Sequence, residues 1–217
     1  MSMKPLAECR LYTFVDTSCL NGRSPELIAQ QLCDGGADLI QLRAKDAPLD
    51  DVRRMAQSIL SITQRNGVGL VINDHPAVAV ELGAELCHLG QEDFFDAGRT
   101  HVSELKSAGV NLHIGLSTHE PSQAKRAIAA GADYIAIGPV FATPTKPYAT
   151  AVTLDYVGWA AANVTIPWFA IGGINLTNID AVIAAGARRI CVVSAILNAP
   201  DVAEACRAFR ERLFIRG

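Results

Sequence analysis

A short pattern of glycine, alanine and a charged residue ahead of an apolar run occurs four times along the chain. The glycines that open it are Gly36, Gly83, Gly131 and Gly186, spaced by 47, 48 and 55 residues. Such a pattern is typical of a junction between a helix and a strand. One more apolar run lies between each pair of repeats and another precedes the first, at residues 69–72, 112–115, 167–171 and 11–15. The sequence therefore predicts eight strands.

Amphipathic stretches separate these strands. Their apolar residues recur at spacings of three and four, as in helices packed on one face. The clearest stretches cover residues 25–33, 50–65, 122–130, 176–185 and 203–214. Strict alternation of strand and helix implies a parallel sheet with helical crossovers. Eight units in 217 residues leave about 27 residues for each, little more than one strand, one helix and two turns.

The expected fold is α/β, a single (β/α)8 TIM barrel in one domain over residues 1–217. Residues 1–9 form an N-terminal extension, in which Met1 and Ser2 could be an expression remnant ahead of Met3. A doubly wound open sheet also alternates strand and helix, but no Gly-x-Gly-x-x-Gly motif follows the first strand. The chain is short for a TIM barrel, so we expect no inserted domain.

Charge and hydropathy exclude several classes of partner. With 19 basic and 22 acidic residues, the net charge is -3 and no extended basic run exists, which argues against nucleic acid and anionic membranes. No apolar stretch reaches the roughly 18 residues that a membrane span needs. The six cysteines form no Cys-x-x-Cys pair and are expected to be free thiols. We expect a cytoplasmic protein that binds small molecules, and its oligomeric state, a homo-oligomer included, stays open.

Polar residues cluster where the predicted strands end, which is where a TIM barrel builds its active site. Gln41, Arg43 and Lys45 alternate along the second strand, so they share one face and Ala44 points to the other. Lys146, in the loop after the sixth strand, is a third cation that could join them. Cations placed in this way favour a polyanionic ligand, although a solvated strand end would show the same residues.

Two carboxylates follow neighbouring strands of the predicted barrel. Asp74 comes directly after the third strand and Asp93 shortly after the fourth. Mg²⁺ is typically held by one or two carboxylates together with phosphate oxygens, so the pair predicts a magnesium site. Asp74 could instead cap the third helix, because His75 and Pro76 follow it. Glu92 is less favoured, since it cannot share the direction of its neighbour Asp93.

The last two strand ends favour a phosphate. Gly172 and Gly173 follow the seventh strand, and Val193 and Ser194 follow the eighth. TIM barrels commonly bind phosphate in these two loops through backbone N–H groups. No Ser-His-Asp arrangement or Gly-x-Ser-x-Gly motif is visible. The histidines lack a metal-ligand spacing, and we assign proton transfer to none of them.

Taken together, these motifs resemble the thiamine-phosphate synthase family. The matching segments come in family order over nearly the whole chain, at residues 41–46, 72–74, 88–93, 115–119, 138–146, 170–174 and 192–196. Three positions depart from the family pattern: Ala44 stands where Glu is usual, His75 where Arg is common and Thr153 where Gly is usual. The resemblance implies a transferase that joins 4-amino-5-hydroxymethyl-2-methylpyrimidine diphosphate to 4-methyl-5-(2-phosphoethyl)thiazole, with Mg²⁺ as cofactor.

The resemblance also implies roles for individual residues. The pyrimidine diphosphate would be held by Gln41, Arg43, Lys45, Asn73, Ser117 and Lys146. Of these, the expected catalytic residues are Arg43, Lys45, Ser117 and Lys146. The expected ligands of Mg²⁺ are Asp74 and Asp93. The thiazole phosphate would be held by Thr143, Thr145, Gly173, Val193 and Ser194.

Three other functions stay open. A paralogous thiazole tautomerase would share the barrel and the monophosphate loops but would need neither a diphosphate nor a metal. Another phosphate-binding TIM-barrel enzyme, an isomerase or aldolase, would use a carboxylate base or a Schiff-base lysine, and Lys146 could be that lysine. A non-catalytic ligand sensor would bind the same compounds without converting them.

Overall fold

The strands of the protein form one closed barrel. A computed structural model describes residues 2–106, 109–142 and 151–215 of the chain. All eight strands are parallel, and each pairs with the next along the chain until the last returns to the first. They are β1 (Leu11–Asp16), β2 (Leu39–Arg43), β3 (Gly69–Asn73), β4 (Leu86–Leu89), β5 (His113–Thr118), β6 (Tyr134–Ile137), β7 (Trp168–Ile171) and β8 (Ile190–Cys191). The predicted TIM-barrel fold is confirmed.

Helices connect the strands around the outside of the barrel. They are α1 (Pro25–Asp34), α2 (Leu49–Asn66), α3 (Pro76–Leu82), α4 (Pro121–Ala129), α5 (Thr153–Asn163), α6 (Ile179–Ala184), α7 (Ser194–Leu197) and α8 (Val202–Ile215). The five helices expected from the amphipathic stretches are all present, with ends that differ by at most three residues. None of the helices in the described ranges is long and apolar enough to cross a membrane.

The connection after β4 departs from the expected alternation of strand and helix. In its described part, a π-helical turn (Glu92–Asp96) and a 3-10 turn (Val102–Leu105) stand where an α-helix was expected. The ring of Phe95 is buried and anchors the π turn, and Gly98, with φ of +84°, follows its end. The expectation of a regular helix after β4 was therefore wrong. The π turn carries Asp93 near its start and so places this residue at the rim of the barrel.

The four repeated glycines share one backbone conformation. Gly36, Gly83, Gly131 and Gly186 have φ angles between +68° and +105°. Residues with a Cβ atom rarely adopt this left-handed region. Each glycine follows the last turn of a helix, where this conformation redirects the chain into the next strand. The repeat in the sequence is therefore a set of four helix ends.

The charged residue of the first repeat, Asp38, joins elements at the N-terminal end of the barrel. Its carboxylate accepts hydrogen bonds from the backbone N–H groups of Arg10 at 2.8 Å and Leu11 at 3.1 Å. The Lys4 ammonium donates to the same carboxylate at 2.6 Å. Asp38 is buried and its charge is compensated, so it holds the N-terminal segment and β1 against β2.

Asp133 of the third repeat has the same role between β5 and β6. Its carboxylate accepts a hydrogen bond from the backbone N–H of Ile114 at 2.7 Å and pairs with the Lys106 ammonium at 2.9 Å. The His113 ring lies 3.4 Å from the other carboxylate oxygen. Burial alone would raise the pKa of Asp133, but His113, Lys106 and the Ile114 N–H outweigh it and lower the pKa to about 2.

Aromatic rings fill the interior of the barrel below its C-terminal rim. Tyr12, Tyr134 and Phe169 meet edge to face with ring centroids 5.4 to 6.3 Å apart. Phe14 stacks on Tyr12 with centroids 5.3 Å apart. Gly115 makes room for this cluster, because a Cβ atom there would lie 2.0 Å from the Tyr134 ring. The packed interior leaves the rim as the place for a ligand.

Two residue pairs join the last strand of the barrel to the first. Ile190 and Cys191 of β8 pair with Leu11 and Tyr12 of β1. The Val192 N–H then donates to the Tyr12 carbonyl oxygen at 3.0 Å. This closure brings the loop after β8 beside the cavity-facing residues of β1.

Candidate functional site

A cavity of about 690 Å³ opens at the C-terminal ends of the strands, and all eight strands or the loops after them contribute to its wall. The predicted site residues that line it are Gln41, Arg43, Lys45, Asn73, Asp74, Asp93, Ser117, Gly173, Val193 and Ser194. The remaining predicted site residues, Thr143, Thr145 and Lys146, lie outside the described residues. The structure thus brings together in one cavity every predicted site residue that it describes.

β2 supplies the cationic wall of the cavity. Gln41, Arg43 and Lys45 line the cavity, whereas Ala44 is buried and does not. For Gln41 and Arg43 this placement follows from the alternation of side chains along β2, whereas Lys45 reaches the cavity from the turn after the strand. The predicted common face of the three residues is confirmed.

A buried aspartate of β1 holds Arg43 in place. Asp16 lies opposite Arg43 in the β1–β2 register, and its Oδ2 is 2.8 Å from Arg43 Nη1. The other carboxylate oxygen accepts hydrogen bonds from the Ser18 N–H at 3.0 Å and the Ser18 hydroxyl at 2.7 Å. The Asp16 side chain is 1% exposed, so water competes little for this pair. Asp16 thus orients the Arg43 guanidinium, and no side chain among the described residues is hydrogen-bonded to the remaining guanidinium N–H groups of Arg43, which can donate to a ligand.

Asp74 and Asp93 form an acidic group beside the cationic wall. Asp74 Oδ2 accepts a hydrogen bond from Asn73 Nδ2 at 2.5 Å and lies 3.8 Å from Lys45 Nζ. Burial and then the negative charge of Asp93 raise the pKa of Asp74, against the opposing effects of Lys45 and Asn73. Two mutually repelling carboxylates suit a divalent cation with oxygen ligands. The described part of the chain contains no group of three or more His, Cys, Asp or Glu side chains placed to bind a metal.

The backbone at Asp74 turns its carboxylate away from α3. Asp74 adopts a left-handed conformation with φ of +61°, and its N–H donates to the His88 carbonyl oxygen at 2.9 Å. The residue that precedes α3 is His75, and no side chain caps this helix. The alternative interpretation of Asp74 as a helix cap was therefore wrong. Its carboxylate stays available at the cavity wall.

Ser117, at the C-terminal end of β5, is held from two sides. His88 Nε2 lies 3.0 Å from the Ser117 hydroxyl oxygen. Gln91 Nε2 donates to the Ser117 carbonyl oxygen at 2.5 Å. His88, which had no predicted role, thus orients the Ser117 hydroxyl at the cavity wall.

The loops after β7 and β8 contribute backbone groups to another side of the cavity. Gly173 has φ of +65°, and a Cβ atom there would lie 2.7 Å from the Ala142 carbonyl oxygen and 2.8 Å from Phe141 Cβ. Glycine at this position is thus required for the packing of the loop after β6 as well as for close approach of a ligand. Val193 and Ser194 lie at the start of α7, where the first N–H groups of a helix have no partner within it.

Comparison with known proteins identifies the family of this chain. The family model described as thiamine monophosphate synthase matches residues 11–196. The chain belongs to the thiamine monophosphate synthase family. It is 48% identical over 181 residues to the thiamine-phosphate synthase of Thermus thermophilus, covering 83% of this chain and 84% of that protein. It is 41% identical over 211 residues to the thiamine-phosphate synthase of Acidothermus cellulolyticus, covering 96% of each.

A solved structure from the same family has the same fold. The thiamine phosphate pyrophosphorylase from Pyrococcus furiosus matches with a TM-score of 0.82 at 28% identity, covering 94% of this chain and 95% of that one. These similarities establish the chain as a transferase of thiamine biosynthesis. They favour the synthase over the tautomerase, the isomerase or aldolase and the sensor that the sequence alone left open.

One departure from the family pattern has a structural consequence. Thr153, at a position where the resemblance predicts glycine, is the first residue of α5 and adopts φ of +62°. A β-branched side chain is strained in this conformation, whereas glycine adopts it freely. Ala44 lies outside the cavity wall, so its departure leaves the cationic wall unchanged.

Three residues of β1 line the cavity but were not among the predicted site residues, although Asp16 is recognisable in the sequence as the polar residue that ends the first strand. Tyr12, Phe14 and Asp16 alternate along β1 and line the cavity just as Gln41 and Arg43 do on β2. The alternation rule that was applied to β2 identifies these residues when it is applied to β1. Their apolar rings concealed the signal, because an aromatic strand residue is usually part of the core.

Proposed function

We propose that this member of the family forms thiamine phosphate and diphosphate from 4-amino-5-hydroxymethyl-2-methylpyrimidine diphosphate and 4-methyl-5-(2-phosphoethyl)thiazole. One observation supports this most directly: a single cavity has a wall with cations and two carboxylates and, across the barrel, a wall of glycines and a helix start. The first wall suits a diphosphate and the second suits a monophosphate.

The β2 residues and Ser117 would bind the pyrimidine diphosphate. Arg43 and Lys45 would stabilise the negative charge that develops on the departing diphosphate, and Lys146 would be a third cation there. At an effective dielectric constant near 20, one charge pair about 4 Å apart contributes roughly 4 kcal/mol. About 1.36 kcal/mol corresponds to a tenfold change in rate, so a fraction of this interaction is sufficient for a large effect.

Asp74 and Asp93 would hold Mg²⁺ beside this anion site. Burial, and then the negative charge of Asp93, raise the pKa of Asp74, and a bound cation would offset both effects. Once bound, the ion would neutralise charge on the diphosphate oxygens. Lys45 Nζ lies 3.8 Å from Asp74 Oδ2. This lysine would therefore stand beside the ion and share in neutralising the diphosphate.

The proposed reaction is a dissociative substitution at the pyrimidine methylene carbon. The bond from this carbon to the diphosphate oxygen breaks, and diphosphate leaves with the bonding electron pair. The thiazole nitrogen then donates its lone pair to the resulting carbocation and forms the new C–N bond. No proton leaves the nucleophile, so the step needs no general base. We also place this reaction in the cytoplasm, where the six free thiols of the chain stay reduced.

The decisive experiment is incubation of the purified protein with both substrates and Mg²⁺, followed by chromatography for thiamine phosphate and diphosphate. Both products are expected in equal amounts, and neither when one substrate is omitted. Isomerisation of a thiazole phosphate without the pyrimidine would instead identify a tautomerase. Trapping of a carbonyl substrate on the protein by borohydride would identify a Schiff-base aldolase. Binding of both compounds without formation of any product would identify a non-catalytic ligand sensor.

A further inference from the structure

We propose, on the basis of the proposed function, that Asn178 is a positioning residue for the monophosphate of the thiazole substrate. Its side-chain amide holds the peptide between Gly173 and Ile174 in the orientation that turns the N–H of this peptide toward the cavity. Asn178 itself lies outside the cavity wall, whereas Gly173 and Ile174 line it. Asn178 therefore acts on the substrate only through the backbone of the loop after β7.

The Asn178 side chain joins two backbone groups of this loop. Its Nδ2 donates a hydrogen bond to the Gly173 carbonyl oxygen at 2.9 Å. Its Oδ1 accepts a hydrogen bond from the Asn175 N–H at 2.8 Å. A backbone carbonyl can only accept and a backbone N–H can only donate, so each end of the amide has one possible partner. The two contacts therefore fix which end of the amide faces which group.

Asn178 precedes α6, at a position where asparagine commonly caps a helix. An asparagine there usually accepts a hydrogen bond from the second or third N–H of the helix. All of α6 lies in the described part of the chain, and no side chain caps it. The Asn178 amide is turned toward Gly173 and Asn175 instead. Its contacts thus serve the loop and not the helix.

The planarity of the peptide bond turns these contacts into directions for the N–H groups. In a trans peptide the N–H points opposite to the C=O. The Gly172 carbonyl oxygen accepts a hydrogen bond from the Phe141 N–H at 3.0 Å, on the β6 side of β7. The N–H of the same peptide, which belongs to Gly173, is therefore directed toward the β8 side. On that side Val193 and Ser194 line the cavity.

The next peptide is held by Asn178. The Gly173 carbonyl points to Asn178, so the Ile174 N–H points the opposite way, toward the cavity that Ile174 lines. Within residues 2–106, 109–142 and 151–215, neither the Gly173 N–H nor the Ile174 N–H donates to a protein acceptor. Two successive N–H groups are thus left for an anion, as in other backbone sites for phosphate.

The glycines of this loop make a side-chain support necessary. Gly172 and Gly173 have φ of +103° and +65°, and glycine adopts positive and negative φ about equally well. If its carbonyl were released, the peptide after Gly173 could rotate and turn its N–H out of the cavity. A hydrogen bond to a charged group contributes more than one between neutral groups. Loss of this N–H therefore weakens the binding of a phosphate.

The test measures KM for each substrate in the wild type and in Asn178→Ala. We expect KM for the thiazole phosphate to rise about tenfold or more, the factor for one lost hydrogen bond to a charged group. KM for the pyrimidine diphosphate should stay within about twofold, because this substrate does not use the loop after β7. The thiazole alcohol that lacks the phosphate should react with the same kcat/KM in both proteins. A merely structural role would lower the values for both thiazoles.

The matched control is Thr177→Val in the same loop. This variant removes the hydrogen bond of 2.6 Å from the Thr177 hydroxyl to Asn175 Oδ1 and leaves the Gly173 carbonyl untouched. Both KM values are expected to stay at those of the wild type. A rise of KM for the thiazole phosphate that matches the rise in Asn178→Ala would overturn the proposal, since any weakening of the loop would then suffice.

Asn178→Asp separates the two contacts of the amide. It keeps the size of the side chain and an oxygen for the Asn175 N–H, but it cannot donate to the Gly173 carbonyl. KM for the thiazole phosphate is expected to rise at least as much as in Asn178→Ala. An unchanged KM in either variant, or an equal loss for the phosphate and the alcohol, would overturn the positioning role. A wild-type protein that makes no thiamine phosphate would refute the proposed function instead.

Discussion

Aspartates lie at both ends of the barrel, and their surroundings differ. At the N-terminal end, Asp38 and Asp133 accept hydrogen bonds from backbone N–H groups of the preceding strand and pair with a lysine. At the C-terminal end, Asp74 accepts a hydrogen bond from one amide, lies 3.8 Å from one lysine ammonium and is repelled by Asp93. The first pair is fully used by the fold, whereas the second retains the capacity to bind something else.

Arg43 combines both kinds of environment. Its guanidinium is anchored to the buried Asp16, as a structural residue would be, yet it also lines the cavity. Burial alone therefore does not separate structural from functional charges. The useful distinction is whether donors and acceptors remain unused after the internal partners are counted.

The largest effect is expected for Arg43, which is both anchored to a buried aspartate and part of the cavity wall. Arg43→Ala should lower the single-turnover rate on the order of 10² or more, because a cation at the leaving group is lost. It should also lower the free energy of unfolding by about 3 kcal/mol, since the buried Asp16 loses its partner. Single-turnover kinetics and urea unfolding measure the two effects.

The double variant Asp16→Asn/Arg43→Ala separates these roles of Arg43. Without the Asp16 charge, stability is expected to recover in part while the rate stays low. Recovery of the rate together with stability would show that Arg43 acts only through the fold.

An acid from the C-terminal end should affect activity without affecting stability. Asp93→Asn is expected to raise the Mg²⁺ concentration for half-maximal activity and to lower kcat/KM on the order of tenfold to a hundredfold. The free energy of unfolding should change by less than about 0.5 kcal/mol. The matched control is Glu92→Gln on the adjacent residue, which should keep the wild-type Mg²⁺ titration. Equal shifts in both variants would argue against a ligand role for Asp93.

An acid from the N-terminal end should show the opposite behaviour. Asp133→Asn is expected to cost about 2 kcal/mol of unfolding free energy at pH 7, because the pKa of Asp133 lies near 2 instead of its ordinary 3.8. The native state thus favours the ionised form, so this stability is complete above about pH 4 and is lost as the pH falls toward 2. Urea unfolding at several pH values measures it, while kcat/KM at neutral pH should stay unchanged. A pH-independent loss of stability would rule out this electrostatic origin.

The smallest expected effect is on the free energy of unfolding, at Thr153, an uncharged residue at the start of α5. Thr153→Gly should raise the free energy of unfolding by about 1 kcal/mol, because glycine adopts φ of +62° without strain. Thr153→Ala is the control, since alanine retains the Cβ atom that causes the strain. A gain of similar size in both variants would locate the effect in the side chain and not in the backbone.

Much of this architecture could be predicted from the sequence. The four glycines mark helix ends because residues with a Cβ atom rarely adopt their backbone conformation, and the common face of Gln41 and Arg43 follows from strand geometry. The roles of these side chains, and of Asp74 and Asp93, remain predictions until the variants above are made. Lys146 lies outside the described residues, so its place in the cavity is a prediction of the same kind.

The features that the sequence did not predict depend on contacts between elements that are distant in the chain. The pairing of Asp16 with Arg43 needs the register between β1 and β2, which spacing along one strand does not provide. The π turn after β4 depends on the burial of Phe95, over which the Arg126 guanidinium lies at 3.7 Å from the ring centroid. Periodicity along a single segment contains no information about such partners.

The two-residue pairing of β8 with β1 has a consequence for biosynthesis. Chains emerge from the ribosome with the N-terminus first, so Tyr12 and Gln41 are made long before Val193 and Ser194. Because the floor of the cavity closes only when β8 meets β1, a nascent chain has no complete pocket until β8 has been synthesised. Substrates therefore encounter a complete pocket only after β8 has emerged and paired with β1.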